Sequence, residues 1–387
     1  MLSTSLSGLR VIDFTQLLAG PTCTLMLADL GADVIKIESP NGELGRAFPP
    51  FLDGESASFL AVNRNKRSVA LDLKNPEHLA AVQQLVATAD VVVECFRPGV
   101  MDRLSLGYAA VSAVNQRVVY CSISAYGQDG PWKDLPGVDG VVQAVSGLMS
   151  VTGMPGFPPC KVQVPIVDAV TGYLATVSVL AALTERHRDD VGQHLNVSLF
   201  ASAVALQHAG FTSYFADGVV PQRQGSAAPY ASPNEALRCA DGWIVVAAYH
   251  PERWRALCEL LGIPELATDH RFSDLKSRVT NRQQLVEILE AQMTKRPKGD
   301  WLQRFQAADI ICGPINDYHE VVESEQFVFA DMAERIMHPS AGELTMPRSP
   351  IASVGEKPAA RRPPPTLGQH TQEVLSELAA QVEQADV

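Results

Sequence analysis

The chain has 387 residues, a length that suits about two to three domains. Apolar residues make up 46% and charged residues 19%, so a large core can form and a disordered chain is excluded. A net charge of −12 and only 6% aromatics exclude a general nucleic-acid surface, an anionic-membrane surface and a base-stacking platform, while leaving room for one local anion pocket.

The first residues, Met1 to Ser7, carry neither the basic nor the apolar stretch of a secretory signal. Leu9 to Phe14 reads as a strand, followed by the loop Leu18-Ala-Gly-Pro21. Pro21 suits the first position of a helix and Gly31 its end. Asp33 to Glu38 is a second strand, so the unit is strand–helix–strand. The pattern repeats with a strand at Ser68 to Leu73, a helix over Pro76–Ala89 capped by Asn75, and strands at Val91–Val93 and Val118–Ser124. Alternation of this kind predicts an α/β domain with an open, Rossmann-like parallel sheet.

Asp139 to Ser146 reads as a short helix, and a Gly/Pro-rich stretch, Gly153 to Pro159, follows it. Pro165 opens a long apolar helix to about His187. Its most apolar part, Tyr173 to Leu183, is too short to span a membrane and carries Thr176 and Ser178. After a segment at Leu195–Leu199 and another apolar helix, residues 218–233 read as a linker. Trp243 to Ala248 begins a smaller α/β unit with helices near Pro251–Leu261, Asn281–Thr294 and Asp300–Ala308. Pro-rich text returns at Lys357–Pro365, and Thr371–Gln384 reads as a last amphipathic helix. Cys23, Cys95, Cys121, Cys160, Cys239, Cys258 and Cys312 are scattered, with no C-x-x-C and no metal-ligand spacing to the histidines. That predicts a reduced, cytoplasmic, metal-free protein.

The hallmarks of the common α/β enzymes are absent: no G-x-S-x-G, no H-E-x-x-H, no phosphate-binding G-x-x-x-x-G-K-[ST], and no G-x-G-x-x-G in the first turn. Three features remain. Asn63-Arg64-Asn65-Lys66-Arg67, with Lys74, carries a charge of +3 over 63–75 and could bind phosphates, or be a solvated loop before a strand. Glu94-Cys95-Phe96-Arg97-Pro98-Gly99, with Arg103 beyond, follows a strand of a parallel sheet. Ligands sit beyond such strand ends, although a helix-flanking arginine paired with an acid is an equal account. Asp168, in Pro165-Ile-Val-Asp-Ala-Val-Thr-Gly172, would sit in the first turn of an apolar helix, where the helix dipole alone favours a carboxylate. The functional alternative is a nucleophile with room for substrate left by Ala169 and Gly172.

Together these pieces resemble the class III CoA-transferase family, the carnitine and bile-acid CoA-transferase group that includes formyl-CoA-transferase-like enzymes. The matching text is Leu-Ser-Gly-Leu-Arg-Val-Ile-Asp-Phe with Leu-Ala-Gly-Pro, Asn63 to Lys74, Phe96 to Gly99, Tyr126 to Pro131, Val164 to Asp168 and Leu367 to Thr371. Each motif alone is weak, but their order along nearly the whole chain is specific. The resemblance implies a large Rossmann-like domain from 1–217 and 330–387, a linker at 218–233, and a small inserted domain at 234–325. It also implies a homodimer of two chains threaded through each other as interlocked rings.

By the same resemblance, Asp168 holds the catalytic position. Its carboxylate would attack an acyl-CoA thioester to give an anhydride, then an aspartyl-CoA thioester, from which a carboxylic acid acceptor takes the CoA. CoA or acyl-CoA is thus a substrate, and no tightly bound cofactor is implied. The CoA contacts implied are Leu17, Leu18, Ala19, Leu71, Lys74, Cys95, Phe96, Arg97, Arg103 and Lys133. Oxalate-specific relatives carry His and Gln in the first loop where this chain has Gln16 and Leu18, which points away from oxalate or formyl substrates. The family's glycine-rich loop corresponds to Gln224–Tyr230, which has a single glycine. Two alternatives stay open. One is an α-methylacyl-CoA racemase, which needs two bases and has a histidine where this chain has Val138. The other is a catalytically silent acyl-CoA-binding protein, against which an intact Asp168 speaks. Neither the CoA donor nor the acceptor is named by these residues.

Overall fold

The computed structural model describes residues 1–385 and divides into two compact units. The first comprises Met1–Leu148, Lys161–Val219 and the chain from Ala330 on; the second comprises Met149–Cys160 and Val220–Phe329. The short Gly/Pro-rich segment at 149–160, placed in the large domain by the sequence, thus groups with the second unit.

In the first unit, β1 (Arg10–Phe14), α1 (Ala19–Asp29), β2 (Asp33–Glu38), β3 (Lys66–Ala70), α2 (Pro76–Ala87), β4 (Val91–Glu94) and β5 (Val119–Ser124) follow in chain order. Then come α3 (Asp139–Val145), α4 (Ile166–Asp189), β6 (Gln193–Ser198), α5 (Leu199–Leu206) and α6 (His208–Asp217). The six strands form one sheet in the order β3-β2-β1-β4-β5-β6. Every pair in it is parallel. That is the doubly wound order, with its topological switch between β1 and β4.

The pleat sends successive side chains to opposite faces, and both faces are covered, so the strands are nearly all apolar. Val11, Val91 and Val93 pack with Cys23 and Leu27 of α1 and with Val167, Ala175 and Val179 of α4. Ile12, Phe14 and Val92 pack with Val82 and Leu85 of α2 on the other side. Helix α1 begins at Ala19, so Pro21 is its third residue and not its first. No intrahelical bond is lost, because a first-turn N–H has no partner. Gly31 closes the helix at φ +110°, a backbone that favours glycine.

Helix α4 has 24 residues and is long and apolar enough to cross a membrane by length and composition. Tyr173–Leu183, the stretch that stands out as apolar in the sequence, is less than half of this helix. The helix packs instead in the core of the unit, burying Val167, Thr171, Gly172, Ala175, Thr176 and Val179 and exposing Tyr173, Leu174 and Val177.

The second unit builds a three-stranded antiparallel sheet from β7 (Asn234–Cys239), β8 (Gly242–Ala247) and β9 (Ile311–Pro314). Its helices are α7 (Pro251–Leu260), α8 (Arg282–Met293) and α9 (Lys298–Ala307). They bury Trp254, Leu257, Leu285, Leu289, Trp301 and Phe305 against Leu237, Ile244 and Val246. The chain then adds a hairpin, β10 (Ala333–His338) and β11 (Gly342–Pro347), and ends on α10 (Thr371–Ala385). Val374 and Leu378 of α10 join the α2 face of the main sheet.

Candidate active site

The switch between β1 and β4 brings two of the sequence-predicted segments together. Thr15–Leu18 leaves β1 and Cys95–Gly99 leaves β4, and the Gln16 N–H donates to Cys95 Sγ at 3.1 Å. Glu94 Oε2 accepts the Phe96 N–H at 2.9 Å and so fixes the second loop. Burial pushes the Glu94 carboxyl up to about 7, with Asp102 adding to the shift. Burial likewise pushes the Cys95 thiol up to about 12, so it is an inert neighbour and not a nucleophile. Leu71 and Lys74 follow the carboxyl end of β3, on the same edge of the sheet. Leu71 is a core residue, 2% exposed, and its amide is spent on the Glu38 carbonyl. Neither its side chain nor its amide is therefore free to meet a ligand. Lys74, Arg97, Arg103 and Lys133 are exposed, and none has a side-chain partner among the described residues.

The first basic feature behaves differently from both readings of the sequence. Strand β3 starts at Lys66, inside the knot and not at Ser68, and Asn63 to Arg67 are all buried. Arg64 Nε donates to Asp29 at 3.0 Å, and Arg67 binds Asp33, Glu373 and Glu377. Lys66 Nζ donates to Asp13 at 3.2 Å, to Asn63 at 2.8 Å and to the Pro21 carbonyl at 3.1 Å. Every cation of the knot is consumed internally. It is neither a phosphate site nor a solvated loop.

Asp168 lies in the first turn of α4, half-buried. Pro165 precedes the helix and has no side chain that can cap it. Asp139, at the start of α3, supplies the cap from outside: its Oδ2 accepts the N–H groups of Val167 at 2.8 Å and Asp168 at 3.2 Å. Gln143 Nε2 holds the other oxygen of Asp139 at 2.6 Å, and Gln143 Oε1 accepts from Val162 at 2.8 Å. Burial pushes the Asp168 carboxyl up to about 7, and the Asp139 charge beside it adds to this. The Asp168 carboxylate itself makes no hydrogen bond among the described residues.

Gly172, one turn further, does not leave room for substrate as the sequence suggested. A Cβ there would stand 2.7 Å from the Ala19 carbonyl oxygen, so glycine lets α4 press against α1. Four residues, about 6 Å of helix rise, separate Gly172 from Asp168. The close approach sets the first turn of α4 beside the start of α1. There the amides of Leu18, Ala19 and Gly20 donate to no described residue, leaving an open helix N-terminus of the kind that favours anions. The site thus combines an unpaired carboxylate, a free helix start and exposed cations beyond two strand ends. Asp139 and Gln143 escaped the sequence reading, because each acts on backbone groups of distant segments and no spacing announces it.

A profile described as CoA-transferase family III matches residues 6–371. Succinyl-CoA:glutarate CoA-transferase of Mus musculus is 36% identical over 96% of this chain and 86% of its own length. Succinate–glutarate CoA-transferase of Agrobacterium fabrum is 37% identical, covering 96% and 95%. Among solved structures, a CaiB/BaiF family protein from Brucella suis superposes with a TM-score of 0.86 at 34% identity, over 96% of this chain and 99% of that one. With the doubly wound sheet and the whole-length match in agreement, the chain belongs to CoA-transferase family III, an enzyme family whose substrates are CoA thioesters.

Proposed function

We propose that the enzyme transfers CoA from succinyl-CoA to a small dicarboxylic acid through covalent intermediates on Asp168. The observation that carries this reading is the Asp168 carboxylate, half-buried, without a hydrogen-bond partner and set beside the open start of α1. The relatives named above support the donor and the acceptor class.

In the first step a carboxylate oxygen of Asp168 attacks the thioester carbonyl, the C–S bond breaks, and CoA thiolate leaves a mixed anhydride. The thiolate attacks the aspartyl carbonyl of that anhydride, which frees succinate and leaves an aspartyl-CoA thioester. The acceptor carboxylate attacks this thioester and again releases thiolate and an anhydride. The thiolate then takes the acceptor's acyl group, and Asp168 is restored. No net proton or electron is exchanged. Splitting one transfer into smaller steps is the general gain of covalent catalysis. The unpaired first-turn amides of α1 would offset the charge on phosphate or oxyanion. Racemisation is disfavoured because Val138 supplies no second base. Incubation with succinyl-CoA and hydroxylamine should convert Asp168 alone to the hydroxamate, located by peptide mass spectrometry. Recovery of unmodified Asp168 from an enzyme that is turning over would overturn the reading.

Arg97 and Arg103 take the CoA phosphates in this proposal, as exposed cations with no competing acid. Arg97→Ala and Arg103→Ala should each raise the Kd for CoA by roughly 10- to 150-fold, the equivalent of about 1.5–3 kcal/mol per charge-assisted bond. Added salt should shrink the difference from wild type. Unchanged titrations for both variants would return these arginines to solvent.

The enzyme is proposed to act as an interlocked homodimer in the cytoplasm. Exposed apolar side chains on neighbouring helices of the first unit support a partner: Val141 and Val145 on α3, Tyr173 and Val177 on α4, Phe215 on α6. Seven free cysteines support a reducing compartment. Threaded chains separate only on unfolding, so light scattering should show dimer down to the lowest measurable concentration. A folded monomer on dilution, with unchanged far-UV dichroism, would contradict the threading.

A further inference from the structure

We propose that Glu43 is a positioning residue for CoA, holding the loop after β1 in its binding conformation; the inference rests on that loop lining CoA, as proposed above. Leu17 has φ +65°, a left-handed backbone that a residue with a side chain adopts only when its surroundings impose it. Three consecutive residues are clamped there. Lys36 Nζ donates to the Thr15 carbonyl at 2.7 Å, the Gln16 N–H donates to Cys95 Sγ at 3.1 Å, and the Leu17 N–H donates to Glu43 Oε2 at 3.1 Å.

Lys36 and Cys95 come from β2 and from the end of β4, so the sheet itself fixes them. Glu43 comes from the segment after β2 and is the one clamp that could be withdrawn with the sheet intact. It is 5% exposed, and its place is set locally. Its Oε2 also accepts the Gly45 N–H at 2.7 Å, and its own N–H donates to Glu38 Oε2 at 3.2 Å. Its Oε1 is buried without a hydrogen bond and lies 3.7 Å from Lys36 Nζ. Glycine at 45 is what admits this carboxylate: a Cβ would stand 2.9 Å from Oε1 and 3.1 Å from Oε2.

The consequence falls on the next residues. With Leu17 held left-handed and its amide turned to Glu43, the chain enters α1 with the amides of Leu18, Ala19 and Gly20 unspent. Releasing Leu17 lets it relax to a right-handed or extended backbone, which rotates those amides away. Glu43 thus acts through the backbone and need not touch CoA.

The test is calorimetric titration with CoA, alongside KM and kcat for succinyl-CoA and the melting temperature, on Glu43→Ala, Glu43→Gln and Gly45→Ala. Glu43→Ala should raise the CoA Kd and the KM together by about 10- to 100-fold, while kcat moves by less than about threefold. Glu43→Gln keeps an acceptor oxygen and should restore affinity to within about threefold of wild type. Gly45→Ala keeps every charge but crowds the carboxylate, and should weaken CoA in the same direction. It decides the matter even where Glu43→Ala does not fold, since position 45 has no positive φ. Wild-type affinity in Gly45→Ala, or a fall in kcat at constant Kd in Glu43→Ala, overturns the proposal. Arg103→Ala separates the two levels. If it weakens CoA while the Glu43 and Gly45 variants do not, this inference alone fails; if none of them weakens CoA, the placement of the CoA site fails.

Discussion

Asp168→Ala is expected to lower turnover by at least about 10³-fold while still binding CoA and without destabilising the fold. The size follows from the role: a residue that is covalently bonded in every intermediate has no substitute nearby. Asp168→Asn keeps the shape and removes the nucleophilic oxygen anion, so it should be nearly as slow. The fold should not suffer, because this carboxylate makes no hydrogen bond. Burial and Asp139 raise its pKa to about 7, so the folded protein holds its proton more tightly than the unfolded chain. Stability charged to this group is then lost as pH rises from about 4 through 7. Asp168→Asn should therefore melt higher than wild type at pH 8, with the gap closing at pH 4. The same shift governs rate. kcat/KM should rise with pH around a midpoint of about 7, where the nucleophile ionises. Asp139→Asn removes the neighbouring charge and should move that limb to lower pH. Full activity in Asp168→Ala, measured with succinyl-CoA, would end the covalent account.

Lys66→Met should destabilise the protein by about 3–5 kcal/mol, read from denaturant midpoints, because it strands a buried charge. Asp13 is fully buried, and its Oδ2 accepts from Lys66 at 3.2 Å and Thr24 at 2.7 Å. Burial opposes its ionisation, but Lys36, Lys66, Thr15 and Thr24 outweigh that and hold the carboxyl at about 2. Its folded value is depressed, so its contribution is present above about pH 4 and fades as pH falls through 2. Lys66 pulls the other way. Burial, with Lys36 adding repulsion, brings its ammonium down to about 8 against the attraction of Asp13. Burying this lysine as a cation therefore costs stability at neutral pH, and the pair is no simple gain. Its geometric return is the anchor on the Pro21 carbonyl at the start of α1. Asp13→Asn combined with Lys66→Met should recover a large part of the loss, as expected when both partners of a buried pair go. Additive losses in that double variant would show that the two groups do not act as a pair.

The parallel strands were legible because burial on both faces writes them as apolar runs, as in Val91–Val93. Helix α2 was legible from Asn75 and Pro76, and Asn75 does accept the Glu77 N–H at 2.9 Å. The basic knot misled because a local charge sum ignores partners far along the chain: Arg67 is balanced by Asp33 and by Glu373 and Glu377, over 300 residues away. Strand β7, just past the linker, was not legible, since Asn234-Glu-Ala-Leu-Arg-Cys239 alternates weakly and begins on polar residues. The hairpin of β10 and β11 hid behind polar text in the same way. At the site, Asp168 was singled out by the family resemblance of Val164 to Asp168, since its helix-opening position alone is also what the helix dipole favours. The Asp139 cap and the Glu43 clamp were not, because both bind backbone amides brought near only by the fold.

Strand β3 ends the main sheet, and its free side is closed by the last stretch of chain. The His370 N–H donates to the Ser68 carbonyl, the Ser68 N–H to His370 Nδ1, and the Ala70 N–H to Thr371 Oγ1. Asn65 Oδ1 accepts the amides of Arg361 and Arg362. Ser68 and His370 are 302 residues apart. During synthesis on the ribosome, β3 can pair with β2 while its outer edge is still open, and at usual elongation rates the covering segment emerges roughly 15–60 s later. For that interval the nascent chain carries the kind of unpaired border on which β-aggregation begins. Protection of this edge is thereby deferred until the 361–371 segment has been made and has folded back onto β3.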